Sequence, residues 1–413
     1  MAAARDNSTP TGRPPASPLP VAATVVAGPR LAVTEETTQP SRAEKVATQS
    51  AAWRRAAAGV AAACEWVFGA VTLLLGLAVL AAIPIPQFLT LGYLLEVSGR
   101  VARTGRIGAA AVGVRKAARV GGIVAGTWLC LLPLRLIANT WQDAVIVDAT
   151  GAAAARWQLA CWVVAAVTLL HIVRALVKGG RLRHFLIPSV RPVRAARWIA
   201  RWPYAECRDA VCDFIASLRL PYFFWLGLRG FAGGLIWLAP PIALLALGRE
   251  MPLLGLLGGV LLAVVVLYVP FLQAQFAAAG RLRAMFARRQ VRAAYRAAPL
   301  AFWAALVATL ASAVPLYLLK IEMIPREAAW LPSLVFVAFM FPARVLTGWA
   351  VGRGKTRSAP RHWFWRTVSR LGMLPVAAVY VLLVFLSQYT SWYGIWSLYE
   401  QHAFLLPVPF LSM

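Results

Sequence analysis

Acidic side chains are scarce in this sequence. It carries 15 Asp and Glu against 42 Lys and Arg, with only four His, in 413 residues. Carboxylates and imidazoles supply most acid–base and metal chemistry, so few positions could assemble such a centre. Those present do not cluster. Asp209 and Asp213 share a helical face four residues apart, yet Arg208 and Arg219 beside them point to ordinary ion pairing. His184, His362 and His402 are isolated, and there is no P-loop, GxSxG elbow, HExxH or CxxC. The five cysteines form no framework: Cys64, Cys130 and Cys161 lie in apolar runs, while Cys207 and Cys212 are five apart, which is not metal-ligand spacing. No cofactor or metal is expected, and no catalytic residues. The first thirty residues also lack the apolar segment of a signal peptide.

What the chain does have is apolar length. Hydrophobic residues make up 60% of it and recur in runs of roughly 20, about the length that crosses a bilayer. The reading is an all-α polytopic membrane protein. Eight spans are expected, at about 60–83, 120–137, 157–177, 222–247, 252–270, 299–319, 330–351 and 373–389. The segment from Gln87 to Gly99 is ambiguous. Its thirteen residues reach roughly 20 Å against a hydrocarbon core of about 30 Å, which favours an interfacial or re-entrant helix. If it does cross, the count becomes nine and the side of the amino terminus reverses.

The charge excess of +27 sits between the spans. Without zinc-ligand spacing or a stacking motif, it indicates the positive-inside rule and anionic lipid rather than nucleic acid. Four basic stretches, at 100–119, 174–208, 281–296 and 353–370, are expected on the cytoplasmic side of the inner membrane. The stretch from Arg174 to Arg208 is the largest, with nine Lys or Arg and one acid, Glu206. Arg194, Arg197 and Arg201 recur there at helical spacing with Trp198 and Trp202 beside them. Beyond Pro203, Val211, Phe214, Ile215 and Leu218 make one apolar stripe. Two amphipathic helices account for both patterns, either lying in the interface, with Arg191, Arg194, Arg197, Arg201, Trp198 and Trp202 as candidate lipid contacts, or packed on the protein's own inner loops.

Three sections follow from composition: a disordered Ala/Pro/Ser/Thr-rich tail over 1–52, then membrane halves over 53–248 and 249–413. The first half holds the basic loop 174–221, and the second ends in an aromatic tail suited to a membrane interface. The halves can be laid over each other as a parallel repeat of four spans plus four. In this overlay Pro86 corresponds to Pro270, and Gly99-Arg100 to Gly280-Arg281.

Charged groups inside spans are the default functional candidates. Arg229 lies eight residues into the fourth span, roughly 12 Å deep. Arg344 follows Pro342 in the seventh, and Glu96 lies in the short segment at similar depth. A pair between Glu96 and either Arg229 or Arg344 would fit. Snorkelling arginines with a packing salt bridge are one reading, and a proton or substrate relay the other. His171, Arg174 and Glu65 fall near span ends, where an interface role is favoured.

The stretches IPIPQFLTLGYLLEVSGRVARTGR and YVPFLQAQFAAAGRLRAMFARRQVRAAYRAAP resemble a family of bacterial multi-span membrane proteins known only as a domain of unknown function. RHFLIP, RDAVCDF and LRLPYFFWLGLRGF are similar to large membrane proteins of Planctomycete-type bacteria. The resemblance implies a multi-span fold and brings no activity or site residues. The leading functional expectation is a non-enzymatic membrane component that contacts anionic lipid. A solute or ion permease with a polar site between two four-span halves is the alternative, and a membrane-embedded enzyme the weaker one. A permease should hold Glu96, Arg229 or Arg344 in a water-accessible cavity; a scaffold should have packed spans and an arginine-rich inner surface.

Overall fold

The computed structural model describes residues 42–186, 204–318 and 330–390 apart from 358, together with 394 and 398. All regular structure among them is helical. The twelve α-helices are α1 Arg42–Ala81, α2 Gln87–Thr104, α3 Val114–Val147, α4 Ala152–Val177, α5 Leu182–Leu186, α6 Tyr204–Ser217, α7 Leu220–Leu247, α8 Pro252–Ala279, α9 Arg288–Ala297, α10 Pro299–Leu318, α11 Trp330–Thr356 and α12 Trp363–Thr390. Seven of the helical stretches are long and apolar enough to cross a membrane, and α9 with α10, bent by 112° at their junction, brings the number to eight. The protein is an all-α polytopic helical protein.

Of the tail expected over 1–52, residues 1–41 lie outside the described residues, and from Arg42 onward the chain belongs to α1. The Ala-rich run after Arg42 has no Pro or Gly before Gly59, so nothing in it interrupts a helix. The chain divides into two compact units, Met1–Ala58 and Gly59–Met413. The expected boundary at 248/249 lies inside the second. Helices α7 and α8, on either side of it, form the most extensive helix pairing in the structure. Gly258 there abuts Pro241 and Leu245, so the two helices meet backbone to backbone.

Helix α2, the segment that the sequence leaves ambiguous, lies at the centre of the core. Thirteen of its eighteen residues are buried, from Gln87 to Ala102, and it packs against α7, α8 and α11. An interfacial helix would keep one face in water or headgroups, and α2 has no such face until Arg100. Its eighteen residues reach about 27 Å. Polar side chains along it are tolerable because protein, not lipid, surrounds them: Thr90 Oγ1 donates to the Leu77 carbonyl at 2.9 Å, and Ser98 Oγ meets Thr347 Oγ1 at 3.4 Å.

Close approach depends on glycine. A methyl group added at Gly92 would fall on the Phe223 carbonyl of α7, and one at Gly227 on the Phe88 carbonyl of α2. These contacts also give direction. Gly92 faces Phe223 while Glu96 faces Tyr222, so α7 runs antiparallel to α2. Gly348 packs on Ser98 and Gly352 on Val101, so α11 runs parallel to it. In α1, Gly69 packs on Val114 and Thr72 on Gly121, which makes α1 and α3 parallel.

The direction of each helix places one set of ends together. The carboxyl ends of α2, α4, α8 and α11 share a level with the amino ends of α3, α7, α10 and α12. The Lys and Arg of 100–119, 174–183, 281–296 and 353–370 lie at this basic end.

The repeat expected at Gly99-Arg100 and Gly280-Arg281 is shifted in register. Gly99 is inside α2 against Ala277. The structural counterpart of Gly280 is Gly105. Both cap a helix in the left-handed region, with φ of 68° at each. Each is followed by an extended arginine, Arg106 or Arg281, and then a 3₁₀ turn, Ile107–Ala110 or Leu282–Phe286. Pro86 and Pro270 also differ, since the first precedes α2 and the second lies within α8.

Candidate functional site: a buried polar seam and a basic end

Of the three intramembrane candidates, Glu96 and Arg344 are buried and Arg229 is exposed. Glu96 Oε1 accepts from Arg100 Nε at 2.8 Å and Arg103 Nη2 at 3.0 Å. Its other oxygen accepts from the Tyr222 hydroxyl of α7 at 2.7 Å. Arg103 also donates through Nη1 to the Ala277 carbonyl at 3.0 Å, in the last turn of α8. A cation suits that position, where carbonyls lack helical partners and the helix dipole is negative. One carboxylate therefore ties α2, α7 and α8 together at the basic end.

The expected partners of Glu96 are corrected accordingly. Among the described residues, neither Arg229 nor Arg344 forms an ion pair with it. The guanidinium of Arg229 lies 5.9 Å from the centroid of the Trp225 ring, one turn away on the outer face of α7. That is how an arginine reaches the interface along an apolar helix. Arg344, 2% exposed, donates through Nη1 to Gln273 Oε1 of α8 at 2.5 Å. Thr347 Oγ1 donates to the Arg344 carbonyl at 2.9 Å and approaches Ser98, so a polar seam runs from α8 through α11 to α2.

Sequence reasoning missed Tyr222 and Gln273. The first looked like the apolar start of a span; the second, in FLQAQ, was visible as polar residues inside an apolar helix. Arg100 and Arg103, at i+4 and i+7 from Glu96, carried a legible helical spacing.

The second group of candidates, Arg191, Arg194, Arg197, Arg201, Trp198 and Trp202, lies outside the described residues. The helix that follows them, α6, is present. Phe214 and Leu218 of its stripe are half-buried, whereas Val211 and Ile215 are exposed. The Arg119 guanidinium stacks 4.9 Å from the Phe214 centroid, and Lys116 Nζ donates to the Ser217 carbonyl at 2.5 Å, so α6 is seated on α3. Arg208 pairs with Asp209 at 2.9 Å. Among the described residues no group of His, Cys, Asp or Glu is arranged to hold a metal.

His171 Nε2 lies 2.9 Å from the Phe185 carbonyl, joining α4 to α5. His184, in α5 and outside the spanning helices, is held below the ordinary imidazole value. Burial is the larger cause, and the charges of Arg183, Lys178 and Arg181 add to it.

Two clefts open at the basic end beside the elbow between α9 and α10. One, of about 200 Å³, lies between Leu300, Ala304, Trp349 and the arginines 353, 357 and 361. The other, of about 520 Å³, is lined by Gln275, Gln290, Arg296, Lys355 and Arg357 among others. No acidic residue lines either, and neither contains Glu96, Arg229 or Arg344.

No family model, curated protein or solved structure matches this chain.

Proposed function

We propose that this protein is a non-enzymatic membrane component that engages anionic lipid through its basic end. One observation carries the reading: both clefts at that end are lined by cations with no carboxylate among them. Unneutralised arginine at a membrane face attracts anionic headgroups, each cation near the surface contributing about 1 kcal/mol. The intramembrane charges support the same reading. Glu96 and Arg344 are taken up by contacts between helices, which suits a packed scaffold more than a solute path. By the positive-inside rule the basic end faces the cytoplasm, and the host is the inner membrane.

The test is lipid preference in nanodiscs. The chain carries 17 Trp, and brominated lipid quenches those it contacts. Brominated phosphatidylglycerol should quench more strongly than brominated phosphatidylcholine, and the difference should shrink as salt rises. Equal quenching by the two lipids at low salt would overturn the proposal.

A further inference from the structure

We propose that the elbow between α9 and α10, with the last turn of α11, binds one anionic glycerophospholipid. Its phosphate lies among Arg353, Arg357 and Arg361, and one acyl chain lies against Ala304 and Trp349. This deepens the lipid reading above and rests on it.

The elbow is made by sequence. Helix α9 is amphipathic, with Val291, Ala294 and Ala297 buried and its arginines outward, so it lies along the base of the bundle. Pro299 then starts α10, which turns away by 112° into the apolar layer. The corner leaves a notch that α11 closes from the other side. Gly354 allows this, since it sits against the backbone of Ala294, where any side chain would collide.

The three arginines are positioned rather than loose. The Arg353 guanidinium lies over the Trp349 ring, 5.1 Å from its centroid. Arg357 Nη1 reaches the Ala297 carbonyl at 3.5 Å; the Arg361 main-chain amide donates to the Arg296 carbonyl at 2.8 Å, and its guanidinium lies 5.9 Å from the Trp365 ring centroid. None of these contacts removes charge. Arginine presents a planar fork of donors that matches phosphate oxygens, and the positive end of α10 opens into the same notch.

The surroundings are two-sided, and that selects the ligand. Toward the bilayer the notch is walled by Leu300, Ala301, Ala304 and Trp349, all apolar. Away from it, the wider cleft shares Arg357 and offers Lys355 with the paired amides of Gln275 and Gln290, 2.6 Å apart. A free phosphate would use the arginines and leave the apolar wall idle. A zwitterionic lipid would bring its ammonium against Arg296 and Lys355. A phosphate with a hydroxylated headgroup on one side and an acyl chain on the other uses all of it.

The experiment is native mass spectrometry of the full chain released from detergent, after equilibration with phosphatidylglycerol or phosphatidylcholine. The wild type should retain one phosphatidylglycerol. The triple variant Arg353→Gln, Arg357→Gln, Arg361→Gln should lose about tenfold or more in retention, as expected when charge-assisted bonds are removed. The triple variant Arg288→Gln, Arg289→Gln, Arg292→Gln changes charge equally on the outward face of α9 and should keep the lipid. Ala304→Trp fills the acyl wall without altering charge and should also lose it, so the test stands even if the first variant folds poorly. Retention by both Ala304→Trp and the first triple variant overturns the site, and the nanodisc preference then still decides the broader reading by itself. Displacement of the lipid by glycerol 3-phosphate at equal concentration overturns the lipid assignment in favour of a soluble phosphate.

Discussion

The Tyr222 hydroxyl donates to Glu96 Oε2 at 2.7 Å, joining the start of α7 to the middle of α2. Glu96 is buried, while Arg100 and Arg103, which share its other oxygen, are 43% and 42% exposed. Water therefore screens much of the attraction between the charges, and the Tyr222 hydroxyl, on a side chain itself 38% exposed, is the directional contact between α7 and α2. Tyr222→Phe should lower stability by about 1.5 kcal/mol, the low end for a hydrogen bond to a charged group because the phenol is partly exposed. Glu96→Gln, which keeps the shape and loses the charge, should cost about as much, because the arginines can turn to solvent. Unfolding in nanodiscs measures both. If the double variant is destabilised by the sum of the singles, Tyr222 and Glu96 are not coupled.

The glycine contact between α2 and α7 makes a sharper demand. Gly92→Val would drive a branched side chain into the Phe223 carbonyl, which belongs to a backbone that cannot step aside. We expect loss of monodisperse protein on size exclusion, consistent with overpacking at the upper end of about 1–3 kcal/mol. Gly76→Ala in α1 has nothing within 4 Å of the added carbon and should behave as wild type. Equal yields for the two variants would mean that α2 does not sit where it is described.

His184 gives a pH dependence of known sign. Its folded value lies below the ordinary 6.5, mainly through burial. As pH falls, the unfolded imidazole takes its proton first, so the contribution to stability is present above about 6.5 and is lost below it. An imidazole NMR titration should show a midpoint below 6.5, rising part of the way back in Arg183→Gln. A midpoint at or above 6.5 in the wild type would contradict the burial described.

Span positions were legible because crossing a bilayer needs apolar length, which composition along the chain reports directly. The run from Pro252 to Pro270 falls within α8, and the one from Trp330 to Val351 within α11. What composition could not report is which polar segment the bundle itself would enclose. Glu96, Arg100 and Arg103 make α2 look like a surface helix, and only partners far along the chain, Tyr222, Ala277 and Thr347, make it a core one. The same limit applies to Arg344. Its depth was readable from Pro342, yet its acceptor Gln273 is 71 positions away. The elbow cleft was hidden for a different reason. The basic residues of 281–296 read only as one of four basic stretches between spans, and the notch exists because α9 is helical and Pro299 turns the chain.

The topology follows from the direction of α2. It runs antiparallel to α7 and parallel to α11, so it starts at the end opposite the basic stretches and finishes among them. The turn before it carries Ile85, which is 70% exposed, while Arg106 follows its capping glycine. If α2 is a crossing, Ile85 and Arg106 lie on opposite sides of the membrane. If the segment only dips into the interface, they lie on the same side. The test uses a chain with its five cysteines replaced and single cysteines restored at Ile85, Arg106, Arg249 and Arg281 in turn. Arg249 lies in the α7–α8 turn and approaches Tyr389 near the far end of α12, which marks the end away from the basic stretches. An impermeant maleimide applied to intact cells should reach Ile85 and Arg249 and spare Arg106 and Arg281, and permeabilised cells should label all four. Matching reactivity of Ile85 and Arg106 in intact cells would return the chain to eight crossings, with α2 as a re-entrant helix buried by its neighbours.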